Sequence, residues 1–79
     1  MTVNEPLILY SRSECHLCDL AAEMLDSAEL PWRAVDIDAD PVLVARYGVH
    51  VPVIARSDDG RELFFPFDKE ALLSFAAGA

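Results

Sequence analysis

Leu7-Ile8-Leu9-Tyr10-Ser11-Arg12-Ser13-Glu14-Cys15-His16-Leu17-Cys18 changes its hydrophobic period partway along. The first four residues are a continuous apolar run, the pattern of a strand buried on both faces. Ser11 to Glu14 are polar and read as a loop. From Cys15 onward Leu17, Leu20, Ala21, Met24, Leu25 and Ala28 recur at spacings of three and one. That recurrence is one face of a helix. Asp19, Glu23, Asp26 and Ser27 fall largely on the other face, and Pro31 ends the element. A C-x-x-C pair therefore sits where a buried strand hands over to a helix.

The rest of the chain continues in short alternating elements. Trp32 to Ile37 reads as a second, moderately alternating strand. Asp40-Pro41 has the form of an N-cap followed by proline at the first helical position. Val42 to Tyr47 fits a short helix, with Gly48 expected to close it as a left-handed cap. Val51 to Arg56 is a third strand, Ser57-Asp58-Asp59-Gly60 carries an Asp-Gly turn, and Arg61 to Phe65 returns as a hairpin. Pro66 breaks the hairpin, and Asp68 caps a last helix carrying Ala71, Leu72, Phe75 and Ala76. The order is a βαβ unit with a right-handed crossover, then a hairpin and a covering helix. An α/β fold with one mixed four-stranded sheet and helices on both faces follows.

Composition bounds the partners. A chain of 79 residues is expected to be a single domain, 1–79. Its 53% apolar content argues against disorder. Six Lys and Arg against 14 Asp and Glu leave a net charge of −8. Such a surface repels phosphate backbones and anionic lipid, which argues against nucleic-acid and membrane partners. No apolar run approaches the ~20 residues of a membrane span. Met1-Thr2-Val3-Asn4-Glu5-Pro6 lacks the basic start and apolar stretch of a signal peptide, so a cytoplasmic monomer is the expectation.

The two cysteines, three residues apart, are poor staples, because a bridge over so small a loop removes little unfolded-state entropy. Chemistry is the better account. Unsatisfied N–H groups at a helix N-terminus favour a thiolate. Cys15, at the mouth, is expected to be the exposed, activated sulfur. Cys18, one turn further in, is placed to attack a mixed disulfide on Cys15. Arg12 would favour the thiolate if it folds back, whereas Glu14 and Asp19 oppose it. His16 either lowers the thiol pKa when protonated or points into water. His50-Val51-Pro52 is the second informative stretch. A proline opening a strand is a candidate cis bond. In that form the Val51 N–H and C=O would face the cysteine mouth and pair with an extended substrate.

Tyr10 to Cys18, with the helix behind them, resemble the active-site segment of glutaredoxins and their short bacterial relatives. Val51-Pro52 resembles their Thr-Val-Pro segment, and the element order resembles the thioredoxin fold across nearly the whole chain. The resemblance implies a nucleophilic Cys15, a resolving Cys18 and a Pro52 in the cis form. It implies an Arg12 that contacts a glutathione carboxylate, a Val51 that pairs with the substrate backbone, and a Tyr10 close to the usual aromatic position. His16-Leu17 replaces the usual Pro-Tyr between the cysteines. Phe65-Pro66-Phe67-Asp68 stands where the family usually has a glycine pair and an acid, so Asp68 is left to supply the acidic group.

The function so implied is dithiol exchange with a disulfide-containing protein or a low-molecular-weight thiol. Cys15 and Cys18 are the catalytic pair, and Arg12, His16, Val51 and Pro52 bind substrate. No cofactor is bound, and glutathione is a reductant or a substrate. The alternative is a non-catalytic thioredoxin-fold adaptor, or a metal or iron–sulfur module. Zinc wants four ligands, and a closed site from Cys15, Cys18, His16 and His50 would need a second chain. His50 itself reads as a solvated loop histidine. Trp32, Phe64, Phe65 and Phe67 read as packing. Asp36-Asp38-Asp40 resembles part of a calcium loop without its glycine and distal Glu, and reads as a solvated loop with a helix cap.

Overall fold

β1 (Leu7–Ser11) is bonded along both of its edges, with β2 (Trp32–Asp36) parallel on one side and β3 (Val53–Arg56) antiparallel on the other. β4 (Glu62–Phe64) completes the order β2-β1-β3-β4 by pairing antiparallel with β3. The computed structural model describes residues 6–78, so the signal-peptide reading of the first five residues lies outside them. Three α-helices accompany the sheet: α1 (His16–Ser27), α2 (Pro41–Tyr47) and α3 (Lys69–Ala76). One turn of 3-10 helix, Ile37–Ala39, leads into α2.

Two-sided burial of β1 and β3 divides the core in two. Directly opposed residues of an antiparallel pair share a face. Leu9 and Ile54 are one such pair, and Tyr10 and Val53 are the next. On the first face Leu7, Leu9 and Ile54 pack against Ala21 and Leu25 of α1 and Leu72 of α3. On the second face Val53 packs with Ile37 and Tyr47, with Tyr10, Leu43, Val44 and Val51 around them. Helices thus cover both faces, as the apolar runs imply. Truncating a fully buried Leu25, Ile54 or Leu72 to alanine costs about 2–5 kcal/mol.

Several boundaries differ from the sequence reading. Ser11 belongs to β1, Ile37 leaves β2 for the 3-10 turn, and β3 begins at Val53 rather than Val51. That late start has a cause: Pro52 has no N–H to donate, and the Val51 N–H turns back to the Tyr47 carbonyl at 3.0 Å. The buried stripe of α1 is Cys18, Ala21 and Leu25, leaving Leu17 and Leu20 on its exposed margin. The apolar arc was wider in sequence than the surface available to cover it. Gly48 caps α2 in the right-handed region, at φ −52°, not the left-handed one. It is glycine for space: a Cβ there would lie 2.5 Å from the Val44 carbonyl oxygen. Asp40 and Pro41 behave as read, with Asp40 accepting the Val42 N–H at 2.9 Å.

The left-handed residue is found after α1 instead. Ala28 caps α1, the Glu29 N–H bonds Asp26 O at 3.0 Å and the Leu30 N–H bonds Leu25 O at 3.2 Å. This is the Schellman closure, with Leu30 packed on the first core cluster. Glu29 adopts it at φ 57°, where a Cβ is disfavoured. Glu29→Gly is expected to raise unfolding stability by about 1 kcal/mol in a urea titration, since glycine enters this region freely.

Arg56 clamps the hairpin turn to the end of α3. Its Nε and Nη2 donate to Asp58 at 3.1 and 2.8 Å, and its Nη1 donates to Phe75 O at 3.0 Å. The Arg56 hydrogen bond is the main reason the Asp58 carboxyl is held at about 2, below its ordinary 3.8. A folded value below the unfolded one gives stability that is complete above pH 3.8 and lost as pH falls through about 2. Asp58→Asn is therefore expected to flatten the acid limb of stability across that window, measured by thermal unfolding at stepped pH.

Candidate active site

The chain leaves β1 at Ser11 and reaches the first turn of α1 within a few residues. Glu14 takes a left-handed conformation, φ 55°, and Cys15 returns to an extended one, φ −111° and ψ 101°. This reversal aims Cys15 back over the helix it precedes. Cys15 is the N-cap of α1, and its Sγ accepts the Cys18 N–H at 3.2 Å. A cysteine sulfur thus occupies the position usually held by a Ser or Asp oxygen. Cys15 and Cys18 are joined as a disulfide, with Cα atoms 5.2 Å apart.

The two sulfurs differ in access. Cys18 is buried at 4% exposure, against the sheet side of α1, whereas Cys15 is half-buried. In the reduced protein the N-terminal N–H groups of α1 and the Cys18 N–H favour charge on Cys15. His16 is exposed at the first helical position, and Leu17 beside it is 42% exposed.

The opposite wall is the turn that leads into β3. Tyr10 opposes Val53, so continuing this register places Ser11 beside Pro52, at the end of the sheet from which Cys15 emerges. The Val51-Pro52 bond is cis and Pro52 is buried. A second cis bond precedes Pro66. His50 and Val51 both donate their N–H groups to Tyr47 O, at 2.8 and 3.0 Å. The Val51 N–H is therefore engaged within the chain, and of the two groups expected to meet a substrate only its C=O faces no such competition. His50 is exposed, with its ring edge-on to Phe64 at 5.4 Å between centroids.

Tyr47 holds this wall in place. It is buried, stacks on Tyr10 at 4.4 Å between centroids, and donates its hydroxyl to Glu62. Burial first, and the Glu62 carboxylate second, push its phenol well above the ordinary tyrosine range.

Arg12 is engaged by Asp38 and by the end of α2. Its Nη2 and Nε donate to the two carboxylate oxygens of Asp38, at 2.7 and 3.3 Å. Its Nη1 donates to Gly48 O at 3.2 Å. Hydrogen bonding to Asp38 is the main cause of its raised pKa. The three aspartates of the second loop have separate tasks: Asp36 caps the 3-10 turn, Asp40 caps α2 and Asp38 pairs with Arg12. Sequence reasoning missed Asp38 as a site residue, because nothing local marks a partner 26 positions away. Asp68 caps α3 by accepting the Ala71 N–H at 2.8 Å, which engages the acidic group left for a ligand. Among the described residues, no three His, Cys, Asp or Glu side chains gather in a way that holds a metal ion, and no helix is long and apolar enough to cross a membrane.

Comparison with known proteins gives the family and the fold. Residues 6–75 match the family described as Glutaredoxin-like domain (DUF836). The chain is 34% identical over 59 residues to the SPbeta prophage-derived thioredoxin-like protein YosR of Bacillus subtilis (strain 168), covering 72% of this chain and 74% of that one. The X-ray structure of protein XcR50 from X. campestris is similar at a TM-score of 0.85 and 43% identity, over 92% of this chain and 97% of that one. Protein Ne2328 from Nitrosomonas europaea, at 22% identity and a TM-score of 0.80 over 95% of this chain and 94% of that one, shares the fold.

The difference in access sets an order of reactivity. With limiting iodoacetamide, the reduced protein is expected to be alkylated at Cys15 about tenfold or more faster than at Cys18, read by peptide mass. Equal labelling would contradict the assignment of Cys15 as the accessible sulfur.

Proposed function

This chain belongs to the glutaredoxin-like family, and from that premise we propose that it is a thiol–disulfide oxidoreductase working through Cys15 and Cys18. One observation carries the reading: two cysteines within bonding reach at the start of α1, the half-exposed one capping the helix and the buried one behind it. That is the arrangement reversible exchange requires.

The Cys15 thiolate attacks one sulfur of a substrate disulfide. The S–S bond of the substrate breaks, its second sulfur leaves as a thiolate that takes a proton from water, and a mixed disulfide forms on Cys15. Cys18, as thiolate, then attacks the Cys15 sulfur and expels the first substrate sulfur. The substrate gains two electrons and the Cys15–Cys18 pair loses two. An external thiol returns the pair to the dithiol by the same steps in reverse. Val51 and Pro52 line the far side of the mouth, and the Val51 C=O accepts a substrate N–H there. His16, exposed at the first helical position, flanks the approach.

The partner on this reading is a disulfide-containing protein or a low-molecular-weight thiol. No resident cofactor is required, and glutathione enters as reductant or as substrate. The protein works as a monomer in the cytoplasm, where reducing thiols are abundant.

The test is redox equilibration in glutathione buffers, with thiol trapping and mass readout. A reversible two-electron midpoint between roughly −270 and −120 mV is expected, the range of exchange catalysts. Cys15→Ser is expected to abolish exchange, and Cys18→Ser to accumulate the mixed disulfide. Turnover retained in Cys15→Ser, or a pair that never changes state, would replace this reading with an adaptor or a metal-binding module.

A further inference from the structure

Arg12 is the only Lys or Arg before Arg33, and thus the one cation near the cysteine pair along the chain. Arg33 opposes Ile8, three residues back down the sheet from the mouth. Among the other arginines of the described residues, Arg56 pairs with Asp58 and Arg61 with Asp59, while Arg46, 66% exposed, lies 3.8 Å from Glu62. The guanidinium nearest Cys15 along the chain is thus already taken. Asp38 accepts from it at both oxygens, at 2.7 and 3.3 Å, and Gly48 O holds a third N–H at 3.2 Å. A two-pronged Arg–carboxylate pair is the form in which a guanidinium would otherwise grip a carboxylate ligand. With Arg12 neutralised, exposed Glu14 beside Cys15 and exposed Asp19 in the first turn of α1 set the sign of the approach.

We propose that Asp38 is a specificity-determining residue: by holding Arg12 it denies a cationic anchor to carboxylate-rich disulfides, so the cysteine pair exchanges preferentially with disulfides flanked by cationic residues. The inference rests on the exchange reading above. It makes the substrate a basic disulfide-bearing polypeptide segment, and makes glutathione disulfide, with its excess of carboxylates, a slow one. Arg12 itself becomes a neutral strut, fastening the loop before Cys15 to the turn that leads into Val51-Pro52.

The experiment uses the reduced full chain and three synthetic disulfide peptides, alike except for flanking Lys, Ala or Glu, together with glutathione disulfide. Each rate is divided by that of the same disulfide with a small uncharged dithiol, which removes its intrinsic reactivity. The Lys-flanked peptide is expected to react roughly three- to tenfold faster than the Glu-flanked one at about 20 mM salt, converging near about 0.5 M as exposed charges are screened. Asp38→Asn is expected to lower that Lys-to-Glu ratio by about threefold or more and to speed glutathione disulfide relative to the Ala-flanked peptide. A residue that merely held the fold would change all rates by one factor and leave the ratio alone. Equal rates for Lys and Glu flanks in the unmodified protein, or a ratio unmoved in folded Asp38→Asn, overturn the proposal. The first of these needs no variant. Failure to reduce any of the four disulfides overturns the exchange reading itself, and this inference with it.

Discussion

Pairing of β1 along both edges is the constraint on which the rest depends. A strand bonded on two sides and packed on two faces must be apolar throughout, and Leu7 to Tyr10 are. Its register with β3 assigns Leu9 and Ile54 to the α1 and α3 face, and Tyr10 and Val53 to the α2 face. A slip of one residue would exchange those faces and bury the wrong side chains. The same register positions the candidate site, because it brings the exit of β1, where Cys15 caps α1, to the entry of β3, where Pro52 stands. The placement of the site is thus first a consequence of the sheet, to which its own hydrogen bonds are added.

The cysteine side of the mouth is organised by an unfinished helix end. Four N–H groups at the start of any α-helix lack partners inside it. Here Cys15 Sγ takes one of them, from Cys18. The same bond that caps the helix places a favourable donor at the sulfur, so folding and thiolate stabilisation draw on one geometry. Glu14 reaches it through a left-handed backbone that glycine would enter more easily. Strain of this kind persists where the surroundings over-determine it, and it stands in the residue next to Cys15.

Much of this is legible in the sequence, for physical reasons that differ by element. The apolar run of β1, the Asp40-Pro41 start of α2 and the Asp68 cap are local signals, and each does in the structure what it signals. The C-x-x-C pair lies, as read, where a strand hands over to a helix, with its two sulfurs within bonding reach. What fails is whatever depends on distant partners. Gly48 resembles a left-handed cap until the Val44 carbonyl is seen beside it. Arg12 resembles a charge available to the thiolate until Asp38 claims it. Leu17 and Leu20 fit a helical stripe whose width only the packing of α1 can set. Val51 reads as a free backbone donor because a hydrogen bond to Tyr47 O leaves no trace in residue type.

The wall facing the cysteines traces to Tyr47. Its carbonyl collects the N–H groups of His50 and Val51, its ring stacks on Tyr10 of β1, and its hydroxyl reaches Glu62 of β4. One side chain at the end of α2 therefore ties together a central strand, an edge strand and the turn before Pro52. A buried aromatic contributes most when its polar tip also finds a partner, and Glu62 supplies it. The consequence for recognition is specific. With the Val51 N–H held by the Tyr47 carbonyl, an extended chain added at this wall, as the exchange proposal has it, would lose the paired donor that full strand addition uses. Backbone pairing there would then orient a substrate only weakly. On the exchange proposal, discrimination among disulfides would fall more on side-chain charge near Cys15, where Glu14 and Asp19 are exposed.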